Sequence, residues 1–283
     1  MLTLDRIEKH YEKFSLDCSM RVPEGRIVGL VGRNGSGKTT IFKSILDIIT
    51  LDAGKRVLFG EEKTILSTED KERIGVAFVA SGFYGELHIK SINRILKAFY
   101  PQFEEAWFLD QCRAHHLPLD QSIKSFSTGM KALLKIFVAL SHQAELIILD
   151  EPTAGLDVVA RREVLDMVRD YMGRFPKASV LISSHIASDL ERLCDEIYLI
   201  HKGKIIFHLD SDELQGQYAL LKVPREAFGT LDTTYIMKTV PTAYGYECLT
   251  NERAFYQENY PTLVMEPGNI DTLLVMMTGG EEA

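Results

Sequence analysis

Eight residues constrain the fold of this chain more than any others. Gly32-Arg33-Asn34-Gly35-Ser36-Gly37-Lys38-Thr39 match the pattern GxxxxGK[ST] in full. They follow a short apolar segment, residues 26–31, that reads as a strand, and they open a helical pattern over 39–49. Strand, glycine loop and helix in that order begin a nucleotide-binding α/β layer. Glycines let the backbone wrap tightly and aim its N–H groups at phosphate oxygens. Lys38 offers a flexible cation to β- and γ-phosphates, and the Thr39 hydroxyl is a hard oxygen ligand for Mg2+. The helix that follows points its N-terminal partial positive charge at the same place. Arg33, Asn34, Gly35, Ser36, Gly37 and Thr40 complete the expected cradle for ATP.

A second segment, Leu146-Ile147-Ile148-Leu149-Asp150-Glu151, is an apolar strand with two acids at its C-terminal end. Ligands bind at that end of α/β sheets. Acids at a strand end are often merely solvated. With the phosphate loop upstream, Asp150 is expected to reach Mg2+ through water and Glu151 to polarise the attacking water as general base.

The rest of the chain fills in an α/β architecture. Residues 2–24 alternate as strands and end in the Pro23-Glu24-Gly25 turn. A helical stretch, at about 85–143, is inserted before the next core strand, with breaks at Pro101 and Pro118. Helices are expected at 158–175 and 186–194, a strand at 180–183, and a hairpin where 197–201 and 205–208 flank Lys202-Gly203-Lys204. Past Asp210 the pattern changes to strands at 219–223, 235–240 and 262–266, then a short helix from Pro267-Gly268-Asn269 through Met277. This gives a nucleotide-binding domain over 1–210 and a small α+β domain over 211–283.

Charge and composition exclude several partners. Apolar residues make up 46% and charged residues 25%, the balance of an ordinary globular domain. The net charge of −8 arises from Asp210 onward, where twelve acids face four bases. No polybasic surface for nucleic acid or an anionic membrane is expected. Cys18, Cys112, Cys194 and Cys248 form no CxxC pair, which favours reduced thiols over a zinc or disulfide framework. The charged N-terminus does not read as a leader, and no apolar run approaches the roughly 18 residues of a membrane span. Work at a membrane would need a second chain to supply the span.

Around this loop the sequence resembles the ATP-binding subunits of ABC transporters over about residues 1–210. Ser127-Thr128-Gly129-Met130-Lys131 sits where that family has its LSGGQ-type signature, before the helix leading to Asp150. Ala154-Gly155-Leu156-Asp157 resembles the D-loop, and His185 in Ser183-Ser184-His185 the switch histidine. Tyr11 resembles the aromatic that stacks on adenine, with Phe14 as a rival. The resemblance implies a P-loop ABC ATPase fold: a β-rich N-terminal subdomain, a mixed, largely parallel core sheet and the helical insertion, with the α+β domain appended.

It also implies a mechanism. Each ATP would be sandwiched between one chain's P-loop and the signature of a second ATPase chain. Ser127 and the Gly129 N–H would contact the γ-phosphate across the interface, and His185 would bind it and position water. The family's membrane partner is an integral permease, which would hold this chain on the cytoplasmic face. The Met-Lys signature, Phe99-Tyr100-Pro101 and Leu117-Pro118-Leu119-Asp120 resemble a subgroup of bacitracin, lantibiotic or acetoin-type exporters. One departure stands out. Val79 falls where the family has its Q-loop glutamine, and valine can neither ligate Mg2+ nor hydrogen-bond water. Two other readings remain: a soluble ABC-type ATPase acting as a switch, and a P-loop kinase.

Overall fold

The computed structural model describes residues 1–78 and 82–279. In chain order it contains β1 (Leu2–Tyr11), β2 (Phe14–Val22), β3 (Ile27–Val31), α1 (Lys38–Ile45), β4 (Ala53–Leu58), β5 (Glu61–Glu62), α2 (Thr68–Glu72) and β6 (Ile74–Ala77). The helical insertion follows as α3 (Ile89–Phe99), α4 (Glu105–Ala114) and α5 (Thr128–Leu140). Then come β7 (Leu146–Asp150), α6 (Val158–Arg174), β8 (Ser179–Ser184), α7 (Ala187–Leu193), β9 (Glu196–His201) and β10 (Lys204–Asp210). The C-terminal part holds α8 (Ser211–Gln217), β11 (Ala219–Pro224), α9 (Arg225–Phe228), β12 (Ile236–Thr242), β13 (Gly245–Thr250), α10 (Arg253–Asn259), β14 (Val264–Pro267) and α11 (Ile270–Thr278).

The core sheet runs β10-β9-β3-β8-β7-β6. Its β3, β6, β7, β8 and β9 are parallel, and only the β9–β10 hairpin is antiparallel. β3, β7 and β8 are buried along their whole length, as strands covered on both faces must be. Only β8 separates β3 from β7 and all three are parallel, so the loop after β3 and the acids at the end of β7 emerge at the same edge of the sheet, one strand apart. An antiparallel sheet, β2-β1-β4-β5, covers one flank and packs its apolar face around α1. The helical insertion, α6 and α7 share a larger cluster on the other face.

Helix α1 ends at Ile45, four residues short of the sequence expectation, and a distant arginine explains it. The buried Arg56 of β4 donates to the carbonyls of Ser44 at 2.5 Å and Ile45 at 3.1 Å, and Asp47 beyond them takes a left-handed φ of 59°. The last turn is thus satisfied from outside the helix. The pattern rules assign nothing between residues 50 and 73, where β4, β5 and α2 lie.

In the C-terminal part, an antiparallel sheet runs β12-β13-β11-β14. Strand alternation divides β11 between two cores. Ala219, Leu221 and Val223 join Leu231, Cys248 and Tyr256 in a separate cluster, while Leu220 faces the main core with Leu249. Helix α11 also reaches that core through Ile270, Leu273 and Met276, and the Ile270 N–H donates to Glu191 of α7 at 2.6 Å.

Candidate functional site

The glycine loop is held by backbone contacts that only glycine permits. A Cβ on Gly32 would stand 2.5 Å from the Ile200 carbonyl oxygen and 2.6 Å from Ser36 Oγ. Gly37 has φ 117°, and a Cβ there would meet the Phe14 ring at 2.9 Å. From outside, the β9–β10 turn braces the loop: Gly203 N–H donates to Ser36 O at 2.8 Å, and Asp17 N–H donates to Gly203 O at 2.9 Å. Helix α1 starts at Lys38 with Gly37 as its N-cap and no side-chain cap, so its first-turn N–H groups face the loop's interior. Lys38 is buried; its Nζ donates to Gly32 O at 2.6 Å. Ser36 Oγ is buried without a hydrogen-bond partner among the described residues.

The acids meet this loop from β7. Pairing of Asp150 with Ser183 across β7–β8 puts the Ser183 hydroxyl 2.8 Å from Asp150 Oδ1, to which it donates. Asp150 Oδ2 accepts from Thr39 Oγ1 at 3.1 Å. Glu151 leaves the strand with φ 49°, a conformation that costs an L-residue about 1–2 kcal/mol. Its N–H is held by Ser183 O at 3.1 Å. That turn aims the carboxylate back into the cleft, where it is 13% exposed. Glu151 Oε2 accepts from the His185 N–H at 3.0 Å and lies 2.6 Å from His185 Nδ1. Oε1 stands 3.4 Å from Lys38 Nζ, an ion-pair separation without hydrogen-bond geometry, and has no hydrogen-bond partner among the described residues.

The structure therefore brings Tyr11, Arg33, Asn34, Gly35, Ser36, Gly37, Lys38, Thr39, Thr40, Asp150 and Glu151 to one open cavity of about 670 Å³, with His185 behind Glu151. Phe14 lines it too, but its ring is pressed onto Gly37, whereas Tyr11 is 46% exposed at the rim. Two contributors escaped the sequence reading. Lys13 lines the cavity from the β1–β2 turn, and Ser183 anchors both acids. Only pairing across β7–β8 reveals the Ser183 role.

Ser127, Gly129 and Asp157 lie elsewhere, on a surface beside this cavity. Ser127 is the N-cap of α5, its Oγ accepting from Met130 N–H at 3.2 Å. Asp157 caps α6, accepting from Val159 and Ala160 N–H, both at 2.9 Å. The loop leading into α6 runs beside the start of α5, since a Cβ on Gly155 would sit 3.5 Å from Thr128. Next to them Val158 and Val159 are 77% and 69% exposed. Val79, which the resemblance sets at the glutamine position, lies outside the described residues.

Comparison with known proteins decides the family. The family model described as ABC transporter matches residues 16–154. The ABC transporter ATP-binding protein YtrB of Bacillus subtilis (strain 168) is 30% identical across 94% of this chain and 93% of its own length. The chain belongs to the ABC transporter ATP-binding protein family. Members of this family are ATPases, and this one keeps both sequence segments that read as phosphate loop and acid pair. The bacitracin transport ATP-binding protein BcrA of Bacillus licheniformis is 33% identical over 75% of this chain and 70% of its own. Among solved structures, an ATP-binding subunit of an ABC transporter superposes with TM-score 0.68 at 25% identity, covering 77% of this chain and 92% of that one. A dimeric cassette in a post-hydrolysis state with ADP and Pi shares the fold, with TM-score 0.66 at 17% identity over 75% of this chain and 99% of that one. No helix among the described residues of this ABC ATPase is long and apolar enough to cross a membrane.

Proposed function

We propose that this chain powers an exporter, working as one of two ATPase chains beneath a separate integral membrane permease on the cytoplasmic face. One observation carries the reading. The phosphate loop and acids converge in one cleft, and Ser127, Gly129 and Asp157 of the same chain do not line it. Such a chain holds two halves of different sites, and a second copy or a related chain completes each. The exposed Val158 and Val159 beside the D-loop give that association apolar surface to bury. Relatives named for bacitracin and lantibiotic transport support the export direction.

The roles follow from chemistry. Tyr11 stacks on adenine, being the more exposed of the two candidate rings. The loop N–H groups from Arg33 to Thr40 and the Lys38 ammonium bind the phosphates of ATP. The donor set fits Mg2+: the Thr39 hydroxyl and Asp150 carboxylate adjoin as hard oxygens, and the described residues offer no cluster of three or more His, Cys, Asp or Glu as a protein-only cage. Mg2+ held by Thr39 and Asp150 would neutralise charge on the β- and γ-phosphates. Glu151 takes the proton of the attacking water, and His185 orients Glu151 and the γ-phosphate. Ser127 and the Gly129 N–H reach the γ-phosphate held by the second chain, so ATP favours the closed pair and hydrolysis releases it. Residues 211–283 form an accessory domain that supports the pair.

The test is purification of the tagged chain from its native membranes with its partners, followed by phosphate-release measurement. An integral membrane protein should co-purify and raise ATPase activity. Recovery of ribosomes or nucleic acid alone would sink the transport reading in favour of a soluble switch.

A further inference from the structure

A second, smaller cavity of about 220 Å³ lies on the other side of the acid pair, and it shares Asp150 and Glu151 with the larger one. Its far wall is α5, the helix that carries the signature, which contributes Thr128, Lys131 and Lys135. Lys135 projects its ammonium across this space and donates to the carbonyl of Phe78 at 2.8 Å. Burial lowers the Lys135 pKa, so the charge is held there against a desolvation cost.

Phe78 is the first residue past β6, and β6 is the neighbour of β7 in the sheet. Ala77 pairs with Leu149, one residue before Asp150. A short covalent and hydrogen-bonded chain therefore links Lys135 to Phe78, Ala77, Leu149 and the two acids. The rest of α5 follows β6 just as closely. A Cβ on Gly75 would stand 2.1 Å from the Ala139 carbonyl oxygen, and His142, past the helix end, lies 3.2 Å from Ile74 O. Helix and strand are thus packed closely along their length, with Lys135 tying them at the end toward the acids.

We propose that Lys135 is a positioning residue for ATP hydrolysis: by holding Phe78 at the catalytic end of β6, it sets Asp150 and Glu151 according to the position of the signature-bearing helix. The inference rests on the ATPase reading above and adds a link inside one chain between its signature surface and its own acids. Signature engagement by a second chain would then tune the acids of the chain that offers the signature, not only those across the interface.

The test compares Lys135→Met and Lys135→Arg in the full chain, with its membrane partner where one co-purifies. Three quantities are read: kcat, ATP dissociation constant and melting temperature. Lys135→Met should lower kcat about tenfold and leave the dissociation constant within about twofold, the signature of an interaction felt after binding. Its melting temperature should hold or rise, since a desolvated charge is removed. Lys135→Arg, which can donate to the same carbonyl, should restore most of kcat. If Lys135→Met does not fold, Lys135→Leu, which likewise has no donor, carries the same comparison. Unchanged kcat in the Met variant overturns the proposal, as does failure of Arg to rescue, or parallel loss of affinity and melting temperature. A wild-type chain that binds ATP but releases no phosphate would instead overturn the ATPase reading itself.

Discussion

The phosphate-loop cleft and the signature surface differ in how completely each is built. In the cleft, polar groups are held by one another: Lys38 by Gly32 O, Asp150 by Ser183 and Thr39, Glu151 by His185. At the signature, Ser127 and Asp157 are held, among the described residues, only by their own helices as N-caps, and the neighbouring valines face solvent. The cleft is preorganised for chemistry within one chain. The signature is a well-folded surface whose chemistry needs another molecule. Substitutions in the cleft should therefore disturb binding or turnover at the chain's own site, and substitutions at the signature should leave nucleotide binding by the lone chain intact.

The largest expected effect is on turnover. Glu151→Gln removes the general base and keeps the shape, so phosphate release should fall at least about 100-fold while ATP still binds. Stopped turnover should trap the ATP-bound pair, visible as a dimer by size-exclusion chromatography. Normal turnover would remove Glu151 from its role. Lys38→Ala comes next. It takes away a buried cation, and nucleotide affinity measured by titration should weaken about 100-fold, in line with truncating one partner of a buried charge pair. Unchanged affinity would contradict the phosphate site.

Glycines sharpen the contrast. Gly32→Ala forces a Cβ to 2.5 Å from the Ile200 carbonyl, which backbone must yield to accommodate. Overpacking of that kind costs about 1–3 kcal/mol, so the melting temperature should drop along with activity. Gly129→Ala meets nothing closer than 3.5 Å, and alanine is the better helix former by about 1 kcal/mol. Its melting temperature should rise slightly while ATPase activity of the dimer falls about tenfold, as expected where a glycine serves close approach by a second molecule. Loss of stability in both variants would erase the distinction between the two surfaces.

This contrast also explains what was legible in the sequence. The loop Gly32–Thr39 and the acids after residues 146–149 are local patterns, and their chemistry depends on residue order alone. The strands and helices nearest them were readable for the same reason. Arg56 capping α1 was not, because its partners are 11 and 12 residues upstream on another element. Nor was Ser183 under Asp150, which needs the β7–β8 register. In the tail, Pro241 reads as a strand stop. Yet β12 runs through it to Thr242, because β12 is an edge strand and the missing N–H costs no ladder bond. β13 and α10 were missed alongside it. Neither has a strong local signal; β13 earns its place by pairing on both sides, with β11 and β12.

Ser127 supplies the finest test, because its structural and functional roles demand different side chains. As an N-cap it accepts from Met130 N–H, a task aspartate performs as well or better at a helix N-terminus. Ser127→Ala loses the cap and should cost about 1 kcal/mol of stability, whereas Ser127→Asp should cost nothing. Against the γ-phosphate of a second chain the order reverses. Alanine only removes a hydrogen bond, but aspartate places a negative charge against the phosphate. Melting temperatures should therefore rank Asp at or above Ser, and Ser above Ala. ATP-driven dimerisation of these variants in the Glu151→Gln background should rank Ser above Ala and Ala above Asp. If dimerisation follows the melting order, the signature serine is a helix cap and nothing more, and the surface around it must find its partner by other residues.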